Sequence, residues 1–146
     1  MDSRGHGASE LKEGAAQELT TREMADDVMQ VMDVLNVPKA VILGFSDGAN
    51  VALEAASRYP DRVLAVAAVS GNALPRGMSW LFYGEVQAEV SGPVLDGEML
   101  PMSGEVKESS IKTASLNGLM AQWPRLGKTE LSLIKAPVLL LTAPLT

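Results

Sequence analysis

Apolar residues recur at helical spacing in one stretch and run unbroken in three others, and this pattern sets the expected elements. Met24, Val28, Val31, Met32 and Leu35 follow one another at steps of four, three, one and three. That spacing places them on one stripe of a helix of about four turns. Thr20 stands just before the stripe with Glu23 three residues on, the spacing of a capping box at a helix start. Asn36 and Pro38 stop the helix. Ala40-Val41-Ile42-Leu43 is a continuous apolar run between Pro38 and Gly44, which predicts a parallel strand covered by helices on both faces. A second helix is expected from about Asp47 to Tyr59, closed by Pro60. Its alanines, Ala49, Ala52, Ala55 and Ala56, let it sit close to a sheet. Residues 63–69 and 138–141 read as further strands. Helix, strand, helix, strand, a long excursion and a last strand make an α/β chain with right-handed parallel crossovers.

The excursion, roughly residues 74–130, differs in character. It holds Trp80, Phe82, Tyr83 and Trp123 together with Met78, Met99, Met102 and Met120. Between residues 84 and 110 six acidic side chains (Glu85, Glu89, Asp96, Glu98, Glu105, Glu108) face Lys107 alone, as on a solvated surface. The segment reads as a cap inserted over the sheet edge within one domain spanning 1–146. Its Met and aromatic residues either fill a small local core or form an adaptable apolar pocket wall.

Composition narrows the classes. With 47% hydrophobic and 21% charged residues over 146 positions the chain is globular rather than disordered. Net charge is −6 and no dense basic cluster occurs, which argues against nucleic acid or an anionic membrane surface as partner. The absence of cysteine excludes a disulfide framework, a thiolate zinc site and a thiol nucleophile. No apolar run is long enough to span a bilayer. The polar opening through His6 is not a signal peptide, so the cytoplasm is the expected location.

Gly44-Phe45-Ser46-Asp47-Gly48 reads G-x-S-x-G, a pattern that chance would supply roughly 0.09 times in a chain of this composition. It lies directly between an apolar strand and an Ala-rich helix, the context that a nucleophile elbow requires. Such a turn holds the serine in a strained backbone conformation and lifts its hydroxyl clear of the sheet. Side chains at positions 44 and 48 are expected to collide with neighbouring backbone, hence Gly44 and Gly48. The following helix aims its free N–H groups and positive dipole end at the site. The backbone N–H of Asp47 would be one oxyanion-hole donor, worth about 2.7–4 kcal/mol in the transition state. The plainer alternative is a glycine-flanked turn with an N-capping serine. Gly127-Lys128-Thr129 is no phosphate loop, because Gln122 stands where its first glycine belongs. Glu10 likewise ends the dinucleotide fingerprint begun by Gly5 and Gly7. No His or acidic cluster has metal-ligand spacing, and neither metal nor cofactor is expected.

The sequence resembles the α/β-hydrolase superfamily at four places in order. Residues 2–9, Asp-Ser-Arg-Gly-His-Gly-Ala-Ser, are similar to the D-x-R-G-H-G-x-S turn after that family's fourth strand. Residues 44–48 match its elbow, Tyr59-Pro60-Asp61-Arg62-Val63 its Y-P-x-x-V approach to the sixth strand, and residues 134–141 its I-x-x-P-V-L-L-L approach to the seventh. The resemblance implies a partial α/β-hydrolase fold, a mostly parallel sheet with flanking helices and a cap. It also implies hydrolysis of a small-molecule ester or related acyl bond through an acyl-enzyme on Ser46. In that family the chain order is Ser, then acid, then His. The single histidine, His6, lies upstream of Ser46 within the R-G-H-G turn, and is expected to be structural. The usual acid position falls on Thr146, and residues 70–77, the other place for it, hold no Asp or Glu. The chain thus reads as a middle section of a hydrolase, inactive or nearly so as given. About three strands with both edges exposed would invite self-association. The alternative is a non-catalytic ligand-binding or interaction module on the same scaffold.

Overall fold

The computed structural model describes residues 2–9, 19–77 and 118–142. Helix α1 (Thr21–Val34) leads into strand β1 (Ala40–Phe45), helix α2 (Asp47–Arg58) and strand β2 (Val63–Val69). A 3-10 turn at Pro75–Gly77, helical residues 118–122, helix α3 (Lys128–Ser132) and strand β3 (Val138–Leu141) follow. All three strands are parallel, in the order β1-β2-β3. Phe45 pairs with Val69 and Val69 with Leu141, so the carboxyl ends of the strands lie side by side. This is the expected α/β layout. Most of the expected cap, residues 78–117, lies outside the described residues.

Helix α1 starts where the Thr20–Glu23 spacing placed it, but only half of the capping box forms. The Glu23 N–H donates to Thr20 Oγ1 at 3.1 Å. The Glu23 carboxylate instead accepts from the Thr20 hydroxyl and pairs with Arg4 at 3.3 Å. The buried face is Thr21, Met24, Ala25, Met29 and Met32. The predicted stripe is thus rotated, with Met29 inside and Leu35 64% exposed. The cause is the partner, since α1 packs Met24, Ala25, Met29 and Met32 on Val51 and Ala55 of α2. Leu35, the C-cap residue, lies past the end of the helix.

Helix α2 is enclosed on two sides. Toward the sheet, Ala49, Ala52, Leu53 and Ala56 meet Val63, Val66 and Ala68. Its four alanines are fully buried, the close approach that small side chains allow. Leu126 packs into the same cluster, and its N–H donates to the Ala73 carbonyl at 2.9 Å. The loop after β2 and the segment returning from the excursion therefore meet at one point. Ser57 Oγ donates to the Glu130 carbonyl at 2.7 Å and ties α2 to α3. Helix α3 has five residues, too short for periodicity to reveal.

The expectation that β1 is covered on both faces holds for one. Ile42 packs into the core, whereas Val41, Leu43 and Phe45 are 63%, 74% and 69% exposed among the described residues. Every residue of β3 is exposed as well. The helices described lie on a single face of the sheet, so alternate positions remain open on the other. No helix of the described residues is long and apolar enough to cross a membrane.

This asymmetry separates two leucines. Leu126→Ala should lower the stability of the chain by about 2–5 kcal/mol, since Leu126 is 1% exposed in a packed cluster. Leu43→Ala should change it by no more than about 0.5 kcal/mol. Urea unfolding midpoints at unchanged slope are the measurement.

Candidate active site

The site is built at the carboxyl end of β1, where strand turns into helix within one residue. Ser46 has φ 53° and ψ −121°, a conformation that a non-glycine residue adopts only under strain. Three bonds hold it there. The Ser46 N–H donates to the Val69 carbonyl at 2.9 Å, extending the β1–β2 ladder, while its own carbonyl accepts from the N–H groups of Ala49 and Asn50 at 2.9 and 3.3 Å. Its side chain makes no capping bond, although it occupies the N-cap position of α2. The residue is exposed.

Gly44 makes the turn possible. A Cβ on Gly44 would lie 2.0 Å from the Gly48 carbonyl oxygen and 2.6 Å from the Ala49 nitrogen. Strand and helix cross at backbone contact. Gly48 corrects the sequence reading, because a Cβ there would meet no described atom within 4 Å. The close approach is one-sided, with Gly48 contributing its carbonyl and not its missing side chain.

Asp47 opens α2, and its half-buried carboxylate lies 3.4 Å from Asn50 Nδ2. Burial raises its carboxyl above the ordinary range, while the Asn50 hydrogen bond and the charge of His6 pull it down. Asn50 and Asn72 form a reciprocal pair that the sequence reading missed. The Asn72 N–H donates to Asn50 Oδ1 at 2.7 Å, and Asn50 Nδ2 donates to Asn72 Oδ1 at 3.0 Å. Asn50 is 1% exposed. Gly71 fits beneath, where a Cβ would lie 2.8 Å from that of Ala49. Ser70, the next strand's counterpart of Ser46, also has positive φ, 55°, and its N–H donates to the Leu141 carbonyl at 2.7 Å. The only hint in the sequence was an asparagine three residues after Asp47 and another following Gly71, residue types that favour such local bonding.

The N-terminal turn docks beside this edge. Arg4 forks onto Asp27 of α1 with two bonds of 2.6 Å, the bidentate geometry that guanidinium and carboxylate share. Asp2 accepts the Ala8 N–H at 3.0 Å and fills the space where a Gly7 side chain would stand. His6 Nδ1 donates to the Arg4 carbonyl at 3.2 Å within the same turn. Ser46 Oγ has no hydrogen-bonded base among the described residues. No group of three or more His, Cys, Asp or Glu among them could hold a metal ion. Thr146 lies outside the described residues.

The two glycines and the serine separate sharply in stability. Gly44→Ala should destabilise by about 1–3 kcal/mol or more through backbone overlap. Gly48→Ala should gain up to about 1 kcal/mol from helix propensity. Ser46→Gly should also stabilise, by roughly 1 kcal/mol, as the strain is relieved. Thermal melts of the three variants check all three signs.

Known proteins share this fold. RutD of Caulobacter vibrioides, named for carbamate hydrolysis, is 38% identical over 74 residues, 51% of this chain and 27% of its own length. The enol-lactonase of Burkholderia xenovorans LB400 superposes with TM-score 0.62 at 23% identity, over 95% of this chain and 59% of that one. A thermophilic esterase from Thermogutta terrifontis superposes with TM-score 0.54 at 22% identity, over 97% and 59%. The chain thus spans about three fifths of the solved structures and about a quarter of RutD. Residues 1–97 match the family described as alpha/beta hydrolase fold, and the chain belongs to that family.

Proposed function

We propose that this chain carries the nucleophile of a serine hydrolase acting on a small-molecule ester or related acyl bond. The observation that carries the reading is Ser46 itself: a strained, exposed serine at a helix N-terminus whose hydroxyl is not used for capping. Its oxygen attacks the acyl carbon, and the Asp47 N–H stabilises the oxyanion that forms. Collapse expels the alcohol or amine and leaves an acyl-enzyme, which water then hydrolyses. Carbamate, lactone and ester, the groups in the names of the similar proteins, all present an acyl carbon to such attack. The residues from about 74 to 130 are read as a cap insertion, of which the described stretch 119–130 packs on α1 and α2.

A hydroxyl nucleophile needs a base and an orienting acid. No histidine follows Ser46 in this sequence, where the family order Ser, acid, His would put it, and we read the chain by itself as inactive or nearly so. The same observation favours a second reading, a non-catalytic binding or interaction module on the hydrolase scaffold. Exposed edges at β1 and β3, with the open apolar face between them, favour self-association. Net charge of −6 does not suit nucleic acid.

Three measurements test the reading. In a complete hydrolase containing this section, Ser46→Ala should lower turnover of a short p-nitrophenyl ester by about 10⁴–10⁶-fold. Asp47→Asn keeps the backbone donor and should stay within about tenfold; unchanged turnover in Ser46→Ala removes the nucleophile assignment. The chain alone should show no fluorophosphonate labelling above a heat-denatured control, and rapid stoichiometric labelling at Ser46 would show that a base is supplied. In sedimentation experiments Leu43→Lys should shift the chain toward monomer, by placing a charge on the open face.

A further inference from the structure

We propose that Glu54 is a proton-operated latch on Arg22, and through it on the Arg22–Trp123 contact between α1 and the returning segment of the excursion. This inference is independent of Ser46 and its chemistry.

Glu54 lies in the middle of α2 and is 1% exposed. One carboxylate oxygen, Oε1, accepts from Arg22 Nε of α1 at 3.2 Å. The other, Oε2, is buried with no hydrogen-bond partner among the described residues, as is Thr21 Oγ1 next to Arg22. A buried carboxylate with half its acceptors unused is an unfavourable arrangement that protonation relieves. Arg22 does two things at once, because its guanidinium also lies over the Trp123 ring at 5.3 Å from the centroid. Arg125 approaches the same ring at 5.0 Å. Trp123 is thus the shared contact of two cations, one of which is held by Glu54.

The backbone of the latch is fixed and its side chain is not. Arg58 Nη1 donates to the Arg22 carbonyl at 2.9 Å, pinning that point of α1 to α2. The Arg22 side chain is itself 47% exposed, free to exchange Glu54 for water. Leu119, Pro124 and Leu126 on either side of Trp123 are buried. Release of Arg22 therefore loosens a ring contact without dismantling the packing beneath it.

The charged groups that act on Glu54 are Arg22 from α1, Arg58 from α2 and Glu130 from α3. Burial is the largest influence and raises its carboxyl above the usual range; the two arginines oppose this and Glu130 reinforces it. A carboxyl raised in the fold favours the folded state in its protonated form, and that contribution is lost as pH rises through the folded value. Ionised Glu54 is therefore the costly form, held by Arg22, and its protonation on acidification releases the arginine.

Trp123 reports the event directly. With Trp80→Phe as background, Trp123 emission should titrate as one proton with a midpoint above that of an exposed glutamate, at unchanged far-ultraviolet circular dichroism. Glu54→Gln should show the acid-form spectrum at neutral pH and no titration. Arg22→Met, which keeps the length of the side chain and removes its charge, should do the same and serves if Glu54→Gln fails to fold. The proposal is overturned by a titration that survives either substitution, by one that disappears instead in His6→Asn, or by an emission spectrum constant from mildly acidic to neutral pH in the background chain.

Discussion

Backbone contact between Gly44 and the carbonyl of Gly48 is the constraint on which this end of the sheet depends. With 2.0 Å between the missing Cβ and that oxygen, β1 and α2 meet with nothing between them, and the chain must reverse within one residue. Ser46 takes the whole turn. Its left-handed φ is secured from both sides, by the ladder bond to Val69 and by the first bonds of α2. Strain of about 1–3 kcal/mol at one residue persists because nine residues of α2 are buried between α1 and the sheet. The exposed hydroxyl is a consequence of that packing.

Much of this was legible from the sequence because it was local. The strand and helix flanking Ser46 follow from an apolar run and an alanine pattern, and the turn between them from two glycines. What was not legible depended on partners distant in the chain. The burial of Met29 in place of Leu35 follows from α2 being the neighbour of α1. The pairing of Asn50 with Asn72 spans 22 residues, with nothing in either local pattern to announce it. Gly48 shows the limit of motif reasoning. Its presence in G-x-S-x-G invited the same steric account as Gly44, and the structure gives it a different one.

Polar groups buried on α2 divide by position along the helix. Near its N-terminus Asn50 is fully engaged, donating to Asp47 and Asn72 and accepting from the Asn72 backbone. Such a satisfied network specifies a single arrangement, and here it clamps the loop after β2 onto the first turn of α2. One turn further on, Glu54 is only partly satisfied. Hydrogen bonding on the buried face of α2 is therefore complete beside the Ser46 turn and incomplete where the excursion returns.

The electrostatics of Asp47 bear on the chemistry proposed for its neighbour. An oxyanion beside the Asp47 N–H is favoured by the amino end of α2 and opposed by any negative charge on the Asp47 carboxyl. The strength of that opposition grows as water is excluded. Burial raises the Asp47 carboxyl, which moves it toward the neutral form, while Asn50 and the charge of His6 favour ionisation. The shift toward the neutral form weakens the repulsion felt at the oxyanion position, and the Asn50 amide 3.4 Å away offsets part of the charge that ionisation creates. An acidic residue directly after the proposed nucleophile is thus compatible with acyl transfer because of its burial and its Asn50 partner.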